Sequence, residues 1–339
     1  MPRERHGGSR VRRGYYGTVV ARIVVLNWNG KAFLHRCLTA LLPQAANRAE
    51  VVLVDNASAD GSVAFVREHF PSVEVVSLPA NVGFAAGNNA GAVDCQADWL
   101  IFLNNDTEVA PDWLSTVLDA AARFGPSTVI SSKIVFLDGA GLVDSAGDDY
   151  FRAGGAAKGW HGRPAATAPP SREVFSACGA ALLISRALFD QLGGFDERLF
   201  IVYEDVDLCY RARLAGASVH YAAAAVVGHA GSGTLGRRSR TAVFHGQRNL
   251  EWVWLQNTPA SLLWRSLLPH VAYSLAGGVW YARQGMLWTW LRAKAAALAG
   301  LPATLARRRV VQRTRRVDPD ALWRLMRPGW LGAKREEKS

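Results

Sequence analysis

The sequence predicts an α/β fold built on an open, mostly parallel sheet flanked by helices, with a helical extension at the C-terminal end. Two observations carry this prediction. Short apolar runs alternate with polar loops and helical patterns in the earlier part of the chain, and tryptophan and arginine become frequent after about residue 250. Half of the 339 residues are hydrophobic, which is enough for a large core.

Four apolar runs predict strands that are buried on both faces: Ile23–Leu26, Val51–Val54, Val73–Leu78 and Trp99–Leu103. We expect a helix after the first strand, ending before Pro43. Each run stops at a polar cluster, and sheets of this kind place their sites on loops beyond the carboxyl ends of the strands. The clusters, which begin at Asn27, Asp55, Asn81 and Asn104, therefore mark the expected site.

The segment from Gly139 to Arg172 is rich in Gly, Ala and Pro, which predicts a loop or weak hairpin over the site, able to act as a mobile lid. Beyond it, Phe175–Ile184 is typical of a buried strand. A short helix over Arg186–Leu192 should follow, capped by Gly193 and Gly194.

Composition divides the chain into three parts. Residues 1–18 form a basic arm that we expect to be flexible, because the apolar stretch behind it is interrupted by Arg22 and does not resemble a cleaved signal peptide. Residues 19–250 hold the α/β domain, and residues 251–339 form a basic, Trp-rich helical region. The formal net charge of +11 lies mainly in the two ends and favours anionic partners.

The C-terminal region also contains the longest uncharged run of the chain, from Ser266 to Ala282, which is at the short limit for crossing a bilayer. Three interpretations stay open: helices lying in a membrane interface, ordinary core helices, and a true span. Neighbouring Trp and Arg side chains favour the first, with an anionic membrane surface as the partner.

The four cysteines, Cys37, Cys95, Cys178 and Cys209, are scattered without a CxxC pair. This spacing predicts neither a disulfide framework nor a zinc site, and it favours a reducing cytoplasm.

Asp55 and the segment Asn81–Asn89 are candidates for nucleotide binding. A carboxylate at the end of the second strand can accept hydrogen bonds from a ribose or a base, although an Asx turn or helix N-cap explains Asp55 equally well. The glycines of the segment would let backbone approach a ligand. The chain has no GxGxxG motif and no P-loop lysine, which disfavours nicotinamide dehydrogenases and P-loop ATPases.

Asn104, Asn105 and Asp106 suit a hard cation that keeps several oxygen ligands. His229 would add an imidazole, although a single histidine near a strand end more often has a structural role. Oxygen ligands with one nitrogen and no thiolate favour Mg²⁺ or Mn²⁺ over structural zinc.

The densest acidic cluster contains Glu204, Asp205 and Asp207. Capping of a helix explains Asp207. For the adjacent pair Glu204 and Asp205 we favour function, with one carboxylate as general base for an acceptor hydroxyl and the other orienting the acceptor.

Together these motifs resemble the family-two glycosyltransferases with the GT-A fold, in particular the bacterial rhamnosyltransferase-like branch. The resemblance runs from Val24 to about Asn249, through VVLNWNG, VDNASADGS, NVGFAAGNNAG, FLNNDTEV, ACGAALLISRALFDQLGGFDE, YEDVDLCYR and VVGHAGSGT. It implies a GT-A catalytic domain over residues 19–250 and inverting transfer of a sugar from a nucleotide donor, in the synthesis of cell-surface polysaccharide.

The resemblance also assigns roles to residues. Asp205 matches the catalytic base, with Glu204 beside it, and Asp106 and His229 match metal ligands for Mg²⁺ or Mn²⁺. The nucleotide sugar would contact Leu26, Asn27, Asn29, Asp55, Asn81, Gly83, Asn88, Asn104, Asn105, Asp106 and Arg248. Asn104 stands where the family often has the first Asp of an Asp-x-Asp motif, and this loss of charge should weaken ion binding.

The branch favours dTDP-rhamnose as donor, ahead of UDP-hexose or UDP-galactofuranose, and a saccharide or polyprenyl-linked saccharide as acceptor. It implies a cytoplasmic enzyme, peripheral on the inner face of the cell membrane, and a homodimer is the default oligomer.

Two alternatives belong to other classes of protein. A sugar nucleotidyltransferase would need a Gly-rich N-terminal loop with a basic residue, which Asn-Trp-Asn-Gly lacks. The other alternative is a non-enzymatic nucleotide-sugar-binding protein. No stacked-aromatic RNA-binding pattern appears, so we expect no nucleic-acid partner.

Overall fold

The computed structural model describes residues 20–231 and 239–330. The expected basic arm, residues 1–18, and the end of the late motif, residues 232–234, lie outside the described residues.

A mixed sheet forms the centre of the structure. Its strands are β1 (Ala21–Asn27), β2 (Ala49–Asp55), β3 (Glu74–Ser77), β4 (Trp99–Asn104), β5 (Thr107–Val109), β6 (Thr128–Phe136), β7 (Val143–Ser145), β10 (Arg172–Glu173), β11 (Ala181–Ser185) and β12 (Ser218–His229). The two remaining strands, β8 (Asp148–Tyr150) and β9 (Ala156–Lys158), form a separate hairpin. The order is β10-β12-β6-β11-β4-β1-β2-β3, with β5 paired to β12 and β7 to β6. The four predicted strands, β1 to β4, are parallel and adjacent, and β11 joins them antiparallel. The third is not buried on both faces as we expected, because β3 forms the edge of the sheet and Glu74 and Ser77 are exposed.

Helices cover both faces of the sheet. They are α1 (Lys31–Ala45), α2 (Ser62–His69), α3 (Gly83–Ala92), α4 (Trp113–Phe124), α5 (Arg186–Leu192) and α6 (Glu204–Leu214). One apolar core lies between the sheet and α1 and α4, and another lies on the opposite face with α3 and α6. This confirms the predicted fold class.

Helix α1 does not end before Pro43, as we expected, but continues to Ala45. Pro43 removes one backbone hydrogen bond from the last turn of α1. Leu41 and Ala45, on either side of it, are buried against the core, and this packing outweighs the lost bond.

The strand expected over Phe175–Ile184 begins only at Ala181. The preceding backbone makes a single bridge to a strand, between Ser176 and Asp148 of β8, and elsewhere bonds mainly to side chains of α6. Arg213 Nε donates to the Phe175 carbonyl, and the Ala177 amide donates to Cys209 Sγ. The predicted helix α5 and its glycine cap are confirmed, with Gly193 at φ +73°.

The segment from Gly139 to Arg172 contains the expected hairpin, β8–β9, but its position differs from that of a lid. Tyr150 and Phe151 are fully buried, and Tyr150 stacks on Phe175 at 5.0 Å between ring centroids. The hairpin is thus packed into the core that joins the sheet to the C-terminal helices.

Five helices form the predicted C-terminal helical region: α7 (Arg240–Asn257), α8 (Ala260–Arg283), α9 (Leu287–Ala299), α10 (Leu301–Arg313) and α11 (Pro319–Leu325). Helix α7 runs through the expected domain boundary at residue 250 and packs against both α9 and α10. Within the described ranges, no helix combines the length and apolarity that crossing a bilayer requires.

A buried polar network fastens α8 and α9 to α7. Glu251 of α7 accepts hydrogen bonds from His270 Nε2 of α8 at 2.7 Å and from Lys294 Nζ of α9 at 2.6 Å. Burial opposes ionisation of Glu251, but these two partners outweigh it and lower its pKa to about 2. The network gives α8 a polar face turned towards the protein.

Asp207 does not cap α6 as we expected, since the N-cap is Tyr203, but anchors α6 to α7. Its fully buried carboxylate pairs with Arg211 at 2.7 Å and accepts hydrogen bonds from Gln256 and Asn257 at 2.7 and 2.8 Å. Removing one partner of a buried pair leaves an uncompensated charge, which costs about 3–5 kcal/mol.

We therefore expect Asp207→Asn to lower the free energy of unfolding by about 3–5 kcal/mol, measured as the shift in urea denaturation. The matched control is Asp190→Asn, which removes an exposed i,i+4 partner of Arg186 and should cost less than about 1 kcal/mol. Equal shifts for the two variants would contradict the anchoring role of Asp207.

Candidate active site

A cavity of about 370 Å³ opens at the carboxyl ends of β1, β2 and β4, where the polar clusters were expected to meet. Seven predicted site residues line it: Leu26, Asn81, Gly83, Asn104, Asn105, Asp106 and His229. Sequence reasoning did not select six others: Trp28, Asn56, Phe84, Phe200, Ile201 and Thr241. The volume is in the range of small-molecule sites.

Asn27 and Asp55 lie beneath this cavity and tie three strand ends together. Asn27 Nδ2 donates to Asp55 Oδ1 at 3.0 Å, and Asn27 Oδ1 accepts from Asn105 Nδ2 at 2.7 Å. Asp55 Oδ2 accepts from the Ser58 amide at 3.0 Å, so the Asx turn is present. Asn29 has φ +50° and likewise bonds the second loop. These side chains shape the site without lining it.

The third loop is held against the segment that precedes α6. Asn56 Nδ2 donates to Asn81 Oδ1 at 2.9 Å, and the Phe200 carbonyl accepts from the Phe84 amide at 2.6 Å. Gly83 has φ +86°, and a Cβ there would lie 2.5 Å from the Phe200 carbonyl oxygen. Only glycine fits this close approach.

Asp106 and His229 come together at one edge of the cavity. His229 Nε2 lies 3.2 Å from Asp106 Oδ1, while His229 Nδ1 donates to Asp144 Oδ2 at 2.8 Å. Burial disfavours protonation of His229, but the hydrogen bonds with Asp106 and Asp144 outweigh it and raise its pKa. A carboxylate behind a metal-binding histidine fixes its orientation and tautomer, so this set fits a divalent cation.

Asp144 is fully buried and also accepts from Lys158 Nζ at 2.7 Å. Burial would raise its pKa, but hydrogen bonds with His161 and His229 and the charge of Lys158 lower it. Asp144 and Lys158 were missed because they lie in the Gly-rich segment, where no periodic pattern singles them out. The acid-rich stretch around Asp144 and Asp148 was the available signal.

Asp205 lies at the start of α6, beside the cavity and not among the residues that line it. Its carboxylate accepts hydrogen bonds from the Gly179 and Val206 amides, both at 2.7 Å. A Cβ at Gly179 would lie 3.2 Å from Asp205 Oδ2 and 3.4 Å from Cζ of Phe84, which lines the cavity. Burial raises the pKa of Asp205, although the two amides oppose this.

Glu204, beside Asp205, is buried, and its Oε2 has no hydrogen-bond partner in the part of the chain that the structure describes. Burial and the neighbouring Asp205 charge raise its pKa well above the usual range. Asp148 and Cys178 lie behind Asp205, with ligating atoms of the three within 4.8 Å. Burial and Asp205 raise the pKa of Asp148 to about 7.

Two predicted contacts lie outside the cavity. Asn88 is buried in α3 and donates to the Phe84 carbonyl one turn earlier. Arg248 of α7 donates to the carbonyls of Arg198 and Leu199. In this structure both side chains support the loops around the site, and their contact with a nucleotide sugar stays a prediction.

The fold and the site define the class of protein: a glycosyltransferase of the GT-A fold. The chain belongs to glycosyl transferase family 2, whose family model matches residues 22–193. It is 31% identical over 235 residues to the N-acetylglucosaminyl-diphospho-decaprenol L-rhamnosyltransferase of Mycobacterium tuberculosis, covering 62% of this chain and 76% of the relative. It is 30% identical to the O-antigen biosynthesis protein RfbC of Myxococcus xanthus, covering 62% of this chain and 17% of that protein.

Solved structures agree on the fold. S. aureus TarS 1-349 in complex with UDP-GlcNAc has a TM-score of 0.57 at 15% identity, with 90% of this chain and 92% of that chain covered. The mannosyltransferase PcManGT from Pyrobaculum calidifontis, in complex with GDP-Man and Mn²⁺, has a TM-score of 0.52 at 17% identity, with 91% and 83% covered. The predicted family and enzyme class are confirmed.

Gly83→Ala should destabilise the protein by roughly 1–3 kcal/mol more than Gly193→Ala, measured by thermal unfolding. Both glycines have left-handed φ, +86° and +73°, but nothing lies within 4 Å of a Cβ at Gly193, whereas at Gly83 the Phe200 carbonyl must move. The control therefore carries the backbone strain alone, about 1–2 kcal/mol. If the two substitutions lower the stability equally, the contact between Gly83 and Phe200 is not tight.

Proposed function

We propose that this glycosyltransferase moves a sugar from a nucleotide donor to an acceptor hydroxyl by a single displacement that inverts the anomeric carbon. The observation that carries the proposal is Asp205, a carboxylate of raised pKa beside the cavity. A carboxylate with a raised pKa accepts a proton more readily. Among the described residues, Asp205 has no cationic hydrogen-bond partner that would compete with the proton. Asp205 takes the acceptor proton while the acceptor oxygen bonds to C1, and the bond from C1 to the phosphate oxygen breaks.

Asp106 and His229 would hold a divalent cation, Mg²⁺ or Mn²⁺. Asp144 supports this assignment, because it fixes His229 with Nε2 turned towards Asp106. Such an ion, when bound, would neutralise charge on the departing nucleoside diphosphate. PcManGT was solved with GDP-Man and Mn²⁺, which agrees with a cation in this fold.

We assign dTDP-rhamnose as the donor and a lipid-linked saccharide as the acceptor. The name of the mycobacterial relative gives both a rhamnosyl product and a diphospho-decaprenol acceptor, and its 31% identity extends over 76% of its own length. The apolar walls of the cavity, Leu26, Trp28 and Phe84, suit a base and a deoxysugar. The reaction would belong to cell-surface polysaccharide synthesis, as the name of RfbC suggests.

We also propose that the enzyme is cytoplasmic and acts on such an acceptor at the inner face of the membrane. One face of α8 supports membrane docking, because Trp264, Leu268, Leu275 and Val279 are exposed there at helical spacing. Arginine-rich α10 lies in the same helical region and would attract anionic lipid.

Asp205→Asn should lower sugar transfer by about 10²–10⁴-fold while donor binding changes little. The measurement is nucleotide release from a panel of dTDP-, UDP- and GDP-sugars, with Mn²⁺ or Mg²⁺ and with EDTA. Removal of the ion should abolish release, and dTDP-rhamnose should give the highest rate. Asp119→Asn, an exposed carboxylate on α4, is the control. Near-normal turnover by Asp205→Asn would exclude Asp205 as the base.

Leu268→Glu should weaken binding to phosphatidylglycerol vesicles by about tenfold, measured by sedimentation. The variant loses the burial of one leucine side chain in the membrane and adds a negative charge that the anionic lipid repels. Leu268 is 80% exposed, so the substitution should not disturb folding. Val93→Glu adds the same charge at an exposed position, 59%, on the α/β domain. If the two variants bind vesicles equally, α8 is not the docking face.

A further inference from the structure

A second cavity lies beside the candidate active site, between the beginnings of α7 and α9. It has a volume of about 440 Å³. The residues that line it include Arg240, Thr241, His245, Trp288 and Arg292. Thr241 also lines the first cavity, so the two cavities share part of one wall.

The second cavity is positively charged. Arg240 comes from α7 and Arg292 from α9, and none of the described residues that line the cavity is a carboxylate. Neither guanidinium has an ion-pair partner within residues 20–231 and 239–330. The cavity also faces the first turn of α7, where the helix dipole adds positive potential. Two unpaired guanidinium groups on different helices are suited to a phosphate group, because each can donate two parallel hydrogen bonds.

The walls of the second cavity connect it to the active site on one side and to an apolar surface on the other. The His245 ring stacks on Phe200 at 4.9 Å, and Phe200 lines the first cavity. Trp288, which also lines the second cavity, is 74% exposed, and Leu287 and Leu291 of the same helix are also exposed. The second cavity therefore adjoins the active site, carries two cations and borders exposed apolar side chains, which together match a ligand with a polar head, an anionic centre and an apolar tail.

We propose that the second cavity binds the diphosphate of the acceptor. Arg240 and Arg292 hold the two phosphate groups, the saccharide extends past Thr241 into the active site, and the lipid tail leaves along Trp288 and Leu291. This inference rests on the proposed function, since it concerns the acceptor of the same reaction. It separates recognition of the acceptor from recognition of the donor, whose nucleotide lies in the first cavity.

The test uses geranylgeranyl diphosphate in detergent micelles as the probe, with EDTA present so that no divalent cation contributes, and geranylgeraniol as the uncharged analogue. Calorimetric titration of the full chain should show tighter binding of the diphosphate. Arg240→Gln combined with Arg292→Gln should weaken diphosphate binding by tenfold or more. The single variant Arg292→Glu should also weaken diphosphate binding. Agreement between the two variants would show that the loss does not come from misfolding of the double variant.

The matched control is Arg48→Gln combined with Arg67→Gln, which removes the same charge from exposed positions on the α/β domain. Its diphosphate affinity should equal that of the wild type. Phosphatidylglycerol vesicles distinguish a lipid headgroup from the acceptor. If Arg240→Gln combined with Arg292→Gln loses vesicle binding but keeps diphosphate binding, the two arginines contact the membrane surface and the proposal is overturned.

Two further outcomes separate this inference from the proposed function. Wild-type protein that releases no nucleotide from any donor contradicts the proposed function and the acceptor role with it. Normal donor turnover together with unchanged diphosphate affinity in the double variant contradicts the second cavity alone. Equal affinity of the wild type for the diphosphate and the alcohol also overturns the proposal.

Discussion

The site depends on one buried amide, that of Asn249 in α7. It donates to the carbonyls of Leu199, Ile201 and Val202, at 2.8, 3.0 and 2.7 Å. This loop has positive φ at three non-glycine residues, Phe200, Val202 and Tyr203. Such conformations cost about 1–3 kcal/mol each and persist only where surrounding contacts enforce them. Because the loop supplies a cavity wall and leads directly into Glu204 and Asp205, the C-terminal helices are structurally part of the active site.

Buried carboxylates in this protein fall into two groups according to their partners. Asp207 pairs with Arg211, and Asp144 pairs with Lys158 and His229, so both carboxylates have cations within hydrogen-bond distance. Asp205 is held by backbone amides instead, and Glu204 has an unpartnered oxygen within the described ranges. Burial without a bonded cation raises the pKa of a carboxyl group, and this is the requirement for a general base near neutral pH. The same fold thus pairs Asp207 and Asp144 with cations and leaves its candidate base able to take a proton.

Sequence patterns predicted the parallel half of the sheet because buried strands are continuous apolar runs, and the loops at their ends converge by topology. They also predicted the pairing of Asp106 with His229, through resemblance. They failed where tertiary contacts decide the structure. Phe175 to Ala180 has the composition of a buried strand, yet its backbone bonds to the side chains of Arg213 and Cys209. The contact of Asp144 with His229 was missed, because the two residues are 85 positions apart in the sequence and meet only in the folded chain. Trp28 and Asn56 lie inside the recognised motifs, but adjacency in sequence does not show which side chain faces the cavity.

Helix α8 shows why an apolar sequence need not cross a membrane. His270 and Ser266 lie on its buried face, where they bond to Glu251 and to Trp254 Nε1, and a bilayer would offer these groups no partners. The opposite face is apolar and exposed. A helix with one polar, protein-bound face and one apolar, free face is suited to lie in an interface. Helix α7 bonds α8 and α9 through Glu251, and it holds the strained loop through Asn249. Helix α7 therefore connects the exposed face of α8 to the cavity that Phe200 lines.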